Sequence, residues 1–184
     1  SIVMAAKLGE GTSDTASVAA FGFNPHLTEN SPFVGSMYAV LTSVSKLAAA
    51  GVNRKDIYLS LQEFFKRLGG DPERFGQPVS ALLGAFEAQK GLGIAAIGGK
   101  DSMSGTFENI DVPPTLISFA IGTAKCADIT DNVLRGSGRR LYLLPVRHDE
   151  YYTPDWKYAL ALYDKVNENI LSGNVKYATV TEDG

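Results

Sequence analysis

A chain of 184 residues, 45% hydrophobic and 20% charged, can bury roughly two-thirds of its unfolded surface without staples. Its formal net charge of −3, with 17 Lys and Arg scattered along the chain, leaves no basic stripe and speaks against a nonspecific nucleic-acid binder. No apolar run reaches the roughly 18 residues a membrane span needs, no signal peptide is apparent, and the single cysteine, Cys126, excludes an internal disulfide and fits a reducing cytoplasm.

The chain opens on SIVMAAKLGEG without an initiator Met and closes on VKYATVTEDG. Neither end has the polar, low-complexity character of a tail, so the sequence reads as an internal piece of a longer protein. The small, β-branched and apolar run 15–23 (TASVAAFGF) predicts a buried strand. Ser31 followed by Pro32 suits a helix N-cap and first position. Met37, Val40, Leu41, Val44 and Leu47 then recur at helical spacing as far as a stop at Gly51, predicting a helix over 32–50.

In KDIYLSLQEFF, Ile57, Leu59 and Leu61 alternate as in a strand, while Ile57, Leu61, Phe64, Phe65 and Leu68 suit a helix. The reading is a strand to about 62, then a short helix. GGDPERFGQ reads as a loop by its turn residues. Val79, Leu82, Leu83 and Phe86 mark a helix over about 77–90 that ends at Gly91. The runs 92–98 and 115–122 are short, apolar and bounded by Gly or Pro, and predict buried strands. The helices at 32–50 and 77–90 are expected on one face of a mixed sheet that includes 15–23, 92–98 and 115–122.

After Lys125 the texture changes. Residues 126–137 are polar and turn-rich, like a linker; RLYLLPV predicts a strand, WKYALALYDKVNENILSG a helix and VKYATVT another strand. Strands and helices interleave, so the fold class is α/β to α+β. One domain is expected over 1–125 and the beginning of a second over 138–184.

The chemistry concentrates in AIGGKDSMSGTF, residues 96–107. Gly98 and Gly99 permit backbone conformations that aim consecutive N–H groups into a concavity able to hold a phosphate. Lys100 offers a point charge for phosphate oxygens. Asp101 is a hard oxygen ligand of the kind Mg²⁺ takes alongside phosphates, and Ser102 and Ser104 offer hydroxyls. The motif is not a P-loop, which needs Gly, four residues, then Gly-Lys-Ser/Thr opening a helix; Pro113 and Pro114 follow too soon for one. A solvated hairpin turn has the same composition, so residue types alone leave a phosphate loop and a plain turn both open.

GGKDSMSGTF followed by DVPPTLISFAIG resembles the signature of the phosphoribosylformylglycinamidine synthases, in particular the second synthetase-like half of the long single-chain form. KLGEG, AFGFNP, YAVLTSVSKLAAAG and LLGAFEAQKGLGIAAIGGKDSM fit as well, and the similarity covers roughly 5–146. The resemblance implies an aminoimidazole ribonucleotide synthetase-like N-terminal domain, whose sheet pairs with a partner half, and the start of an α+β C-terminal domain. It implies an ATP- and Mg²⁺-dependent ligase acting on formylglycinamide ribonucleotide, with ammonia released from glutamine by a glutaminase domain outside this sequence. Lys100 and Asp101 would then be catalytic, Asp101 a metal ligand, and Gly98, Gly99, Lys100, Ser102, Ser104 and Lys46 nucleotide- or phosphate-binding. Members of the family can present a Glu and, four residues on, an Asn to a nucleotide-bound magnesium; Thr42 and Lys46 stand there in this sequence. Either Lys46 meets phosphate directly or that nucleotide site has been lost.

An alternative to catalysis is a structural pseudo-dimer half that holds a non-turning-over nucleotide or none; a further one is a small-molecule binding module. Alone, the piece is expected to be a homodimer standing in for the absent half. Cys126, in a polar linker, is no glutaminase nucleophile. His26 reads as a turn residue, His148 and the DEYYTPDW aromatics as loop and helix start, and Asp128, Asp131 and Asp149 have no metal-ligand spacing.

Overall fold

The computed structural model describes residues 2–8 and 11–182, so Gly9 and Glu10 of the KLGEG stretch lie outside the described residues. The first two strands, β1 (Ile2–Leu8) and β2 (Gly11–Gly22), pair antiparallel, with Val3 opposite Val18. No strand was expected at β1, whose side chains are described only at its start. In β2 the alternation sets the face: Ala16, Val18 and Ala20 are buried while Ser17 and Phe21 are exposed.

After a short helix α1 (Pro25–Asn30), α2 runs Pro32–Ala50, with the bounds the sequence predicts. Ser31 Oγ accepts from Val34 N at 3.3 Å, and Gly51 closes the helix in the left-handed conformation at φ 104°. Met37, Val40, Val44 and Leu47 are completely buried. Length and composition alone would let α2 cross a bilayer, because small residues between the large ones keep its 18-residue mean hydropathy at 1.3; 56% of that window is buried inside the fold.

Strand β3 (Ile57–Phe64) leads to α3 (Pro72–Leu92) and then β4 (Ala96–Lys100), which lies parallel to β3. A two-stranded ribbon, β5 (Thr106–Phe107) and β6 (Ile110–Asp111), precedes β7 (Thr115–Lys125). The sheet order is β1-β2-β7-β3-β4, antiparallel except for the last pair. The mixed sheet expected from 15–23, 92–98 and 115–122 is present, although the run 92–98 sits differently, as follows.

Four local expectations change. The short helix after residue 62 is absent: β3 continues to Phe64, and Phe65 N donates to Ser102 O at 2.9 Å, so cross-strand pairing commits this backbone. GGDPERFGQ is not a loop throughout, because Asp71 accepts from Glu73 N at 2.9 Å and caps a helix begun by Pro72. The helix passes through Gly91 and ends at Gly93; the Trp156 ring packs where a Cβ on Gly91 would stand. The strand predicted at 92–98 therefore begins only at Ala96, and Gly98, Gly99 and Lys100 belong to it.

The face of α3 is also corrected. Val79, Leu82, Leu83 and Phe86 are 41–55% exposed, whereas Ala81, Gly84, Ala85, Ala88 and Leu92 are buried. Small residues let α2 and α3 approach until a Cβ on Gly84 would overlap Phe33 O, and close packing of backbones wins over burial of the larger stripe.

Past β7, RLYLLPV and VKYATVT form no strands. Leu141, Tyr142 and Leu143 are 75–81% exposed, and among the described residues these two runs make one ladder contact, a bridge between Asp131 and Tyr177. A strand needs a neighbour to satisfy its backbone, and beyond that single bridge no strand adjoins these runs among the described residues. Helix α4 (Trp156–Leu171) does form. It buries Ala159 and Tyr163 in the same core as α2 and β3, with Tyr163 Oη and Ser45 Oγ 2.6 Å apart, and Asp164 takes a forked pair of bonds from Arg54 at 2.7 and 2.8 Å. The opposite face of the sheet carries exposed Met4, Phe21, Tyr58, Phe119 and Ile121, with no layer over it among the described residues.

Candidate functional site

The C-terminal ends of the parallel strands β3 and β4 lie side by side, the position where open α/β sheets place ligands. The loop 101–105 leaves β4 there and is held by main-chain bonds: Ser102 N donates to Glu63 O at 3.1 Å, Phe65 N to Ser102 O at 2.9 Å, and Gly105 N to Phe65 O at 2.9 Å. Gly105 is required by close approach, since a Cβ would overlap Val112 and come within 2.9 Å of Phe65 O. A second brace runs through side chains. Thr106 Oγ1 accepts from Arg67 N at 2.9 Å and donates to Asp111 at 2.7 Å, and Asp111 takes an ion pair at 3.0 Å from Arg74 of α3. The Asp111 carboxyl is lowered first by the Thr106 hydroxyl and then by Arg74.

This frame leaves the polar side chains outward. Lys100, Asp101 and Ser104 are exposed, Met103 packs on the core, and Ser102 Oγ and Ser104 Oγ are 2.8 Å apart. Lys100 Nζ donates to Asp101 O at 2.7 Å. Gly98 and Gly99 are extended strand residues, so the loop owes its shape to the pairing with β3 rather than to a left-handed glycine turn. The structure thus gathers Lys100, Asp101, Ser102 and Ser104 at one strand end, with Gly98 and Gly99 leading into it.

Sequence reading passed over Glu63. It occupies a position of the β3 alternation that points with Ile57, Leu59 and Leu61 toward the helices, and a charged residue at an inward position was the available signal. Its Oε1 is buried with no hydrogen-bond partner among the described residues. Desolvation, then the Asp101 carboxylate, pushes the Glu63 carboxyl from 4.5 up to about 7. A carboxyl of that value beside an exposed Lys-Asp pair can exchange a proton near neutrality.

The folded value lies above the unfolded one, so the native state keeps a proton that the unfolded chain releases, and stability falls as pH rises from about 4.5 through about 7. Glu63→Gln should remove that fall and stabilise the protein by about 1 kcal/mol at pH 8, after discounting for the partial exposure of the group. Urea melts of both proteins across this window check it; parallel curves would discard the assignment.

Lys46 is not part of the loop site. Phe21 pairs with Phe119, Phe119 with Ser60, and Ser60 with Gly98, which places Phe21 three strand spacings, about 14 Å, from Gly98. Lys46 Nζ donates to Phe21 O at 2.9 Å, lies 4.9 Å from the Phe21 ring centroid and forms an ion pair with Glu182. Thr42 lines a separate cavity of about 220 Å³ at this position. Thr42 and Lys46 offer no anionic oxygen, so this helix face does not fit a metal. At the loop, Asp101 and Glu63 are two carboxylates, and no group of three or more His, Cys, Asp or Glu occurs among the described residues. The exposed Asp101 carboxylate fits Mg²⁺ where phosphate oxygens and water complete the shell.

An open groove of about 430 Å³ adjoins the brace and is lined by His26, Glu29, Lys66, Gln77, Asp111 and Pro113. The remaining polar candidates have local duties. Asp149 accepts from Tyr151 N and Thr153 N, His148 stacks on Tyr152 at 5.2 Å, and Asp131 accepts from Val133 N and Arg135. Cys126 is exposed and free, and Asp128 closes the same short 3₁₀ turn.

No family model matches the chain, and no curated protein matches it. Among solved structures it is similar to phosphoribosylformylglycinamidine synthase II from Thermotoga maritima, at 15% identity and TM-score 0.66, over 93% of this chain and 26% of that one. T. maritima PurL complexed with ATP matches at 15% identity and TM-score 0.66, over 93% and 27%. The same protein complexed with FGAR matches at 14% and 0.66, over 93% and 26%. The chain thus spans about a quarter of the length of these proteins, and the likeness shows that its mixed sheet and helices have the PurL fold.

Proposed function

We propose that the chain is part of an ATP-dependent carbon–nitrogen ligase of purine biosynthesis, working in the cytoplasm, that converts formylglycinamide ribonucleotide to formylglycinamidine ribonucleotide. One observation carries this reading: a loop stitched to the end of a parallel strand pair presents Lys100, Asp101 and Ser104 to solvent beside Glu63, whose carboxyl is pushed up to about 7. The adjoining groove, at about 430 Å³, has the size of a small-molecule site. The fold's likeness to PurL, solved with ATP and with FGAR, supports the same substrates here.

In this reading the amide oxygen of the substrate attacks the γ-phosphorus of ATP, ADP leaves, and ammonia then adds at the amide carbon and expels phosphate. Lys100 meets the phosphate oxygens and offsets their charge, and the Ser102 and Ser104 hydroxyls donate to them. Asp101 would hold Mg²⁺ together with phosphate oxygens and water, and the ion when bound would neutralise phosphate charge. Glu63 accepts the proton that the attacking ammonia must lose. Gly98 and Gly99 leave the strand end unobstructed by side chains. Glutamine supplies ammonia through a glutaminase domain elsewhere. In this reading residues 1–125 are the synthetase-like domain, 126–137 a linker and 138–184 the start of its neighbour, whose helix α4 packs into the core of the first.

The structural alternative is favoured by one observation: Lys46, where a metal-bound nucleotide would require carboxylate or amide oxygens, is committed to Phe21 O and Glu182. Equilibrium binding of a nonhydrolysable ATP analogue to the full-length protein separates the two. Loss of binding in Lys100→Ala supports the ligase site, and unchanged binding discards it.

The bare sheet face belongs, in this reading, to a partner half. The 184 residues alone should be inactive with ammonia supplied and should form a two-fold dimer through Phe119 and Ile121. Light scattering of the native protein and of Ile121→Glu measures this. A native monomer at high concentration would contradict the pairing, and substrate-dependent ATP turnover would contradict the inactivity.

A further inference from the structure

Helix α3 carries two apolar stripes. The small-residue stripe is buried, and the large one, Phe75, Val79, Leu82, Leu83 and Phe86, stays 41–57% exposed. Single exposed leucines are ordinary on a monomer, whereas a contiguous apolar stripe marks a contact surface. Phe75, Val79, Leu82 and Phe86 follow one another at steps of four, three and four residues. That is the 3.5-residue period of a seam between paired helices, which Leu83 widens. Residues 75–86 hold no charged side chain, while Asp71, Glu73 and Arg74 stand before them and Glu87 and Lys90 after. An apolar centre with a charged rim is the anatomy of a protein interface.

We propose that this stripe is a self-association surface, on which α3 of a second copy of the chain lies antiparallel about a two-fold axis. The stripe is its own complement. With the axis between Ser80 and Ala81, Phe75 meets Phe86 of the other copy and Val79 meets its Leu82. The same register sets Asp71 against Lys90 and Arg74 against Glu87, unlike charges at both rims. Lys90 Nζ already lies 5.7 Å from the Phe86 ring centroid, at the end of the seam. A parallel pair would set Lys90 on Lys90 and Glu87 on Glu87, and would align the two helix dipoles. Antiparallel packing avoids both costs. Roughly half of five large apolar side chains, at about 150–200 Å² each, amounts to about 400–500 Å² per copy, near the lower limit for a specific interface. The pair is therefore weak, with a Kd on the order of 0.1 mM. The surface lies in the helix layer, on the side of the sheet away from Phe119 and Ile121, and the proposal does not rest on the ligase reading.

Sedimentation equilibrium of the 184-residue chain carrying Ile121→Glu tests the proposal, because that change blocks pairing through the sheet and leaves α3 as it is. Between about 10 μM and about 1 mM this protein should pass from monomer to dimer. Adding Leu82→Glu should raise the Kd about tenfold or more, and adding Lys90→Glu should raise it about two- to fivefold at low salt and less at high salt. Disulfide trapping in a Cys126→Ser background, with the sheet face native, reads the register. A mixture of Phe75→Cys and Phe86→Cys chains should cross-link, and neither alone should, because antiparallel pairing leaves like positions about 16 Å apart along the helix. A strict monomer at about 1 mM would overturn the proposal, as would a dimer that Leu82→Glu leaves unchanged. Cross-linking of Phe75→Cys with itself would overturn the antiparallel register.

Discussion

Replacing Lys100 or Asp101 by alanine in the full-length enzyme should lower turnover by about ten- to a hundredfold and leave the melting temperature within about a degree of the native value. Both side chains are exposed, and the loop that carries them is held by main-chain bonds from Glu63, Phe65 and Gly105, which alanine preserves. A hydrogen bond to a charged group contributes about 1.5–3 kcal/mol, which is one to two decades in rate. Lys100 Nζ must leave Asp101 O, an exposed contact of small net value, to meet a phosphate. Steady-state kinetics with ammonia as nitrogen donor isolates the synthetase step from glutaminase. Native kinetics in both variants would reduce the loop to a turn.

Phe65→Ala is expected to do the reverse, damaging the fold first and the site through it. Phe65 is the largest completely buried side chain, 1% exposed, and its truncation should cost about 3–5 kcal/mol. Its backbone also holds the loop at both ends, donating to Ser102 O and accepting from Gly105 N. Loss of the ring should therefore free the loop as well as thin the core. Urea denaturation should show the lower midpoint, and amide exchange at Gly105 should accelerate more than global unfolding accounts for. A variant with a native midpoint, or with Gly105 protected to the global limit, would show that the ring does not anchor the loop.

Sequence by itself determined what local chemistry can decide. Ser31, Pro32 and Gly51 fixed both ends of α2, because a cap, a pre-set φ and a left-handed stop act within a few residues of the chain. The apolar runs over 15–23 and from Thr115 marked β2 and β7 as strands, while which side of β2 faces inward was left to the sheet's packing. The residue types of 98–105 singled out the loop that the fold places at the end of the parallel pair.

Tertiary structure decided the rest. Which stripe of α3 is buried depended on how closely α2 could approach, so Ala81, Gly84, Ala85 and Ala88 went inward and Leu82 and Phe86 stayed out. Whether 140–146 became a strand depended on a neighbour to pair with, and apolarity alone could not supply one. Glu63 became a candidate acid–base group only because pairing carried β3 past Gln62 and set its carboxyl beside Asp101. Lys46 was separated from the loop by three strand spacings that only the register reveals. Each of these outcomes turns on contacts between residues distant in the chain, and periodicity, which reads a few positions at a time, carries no information about them.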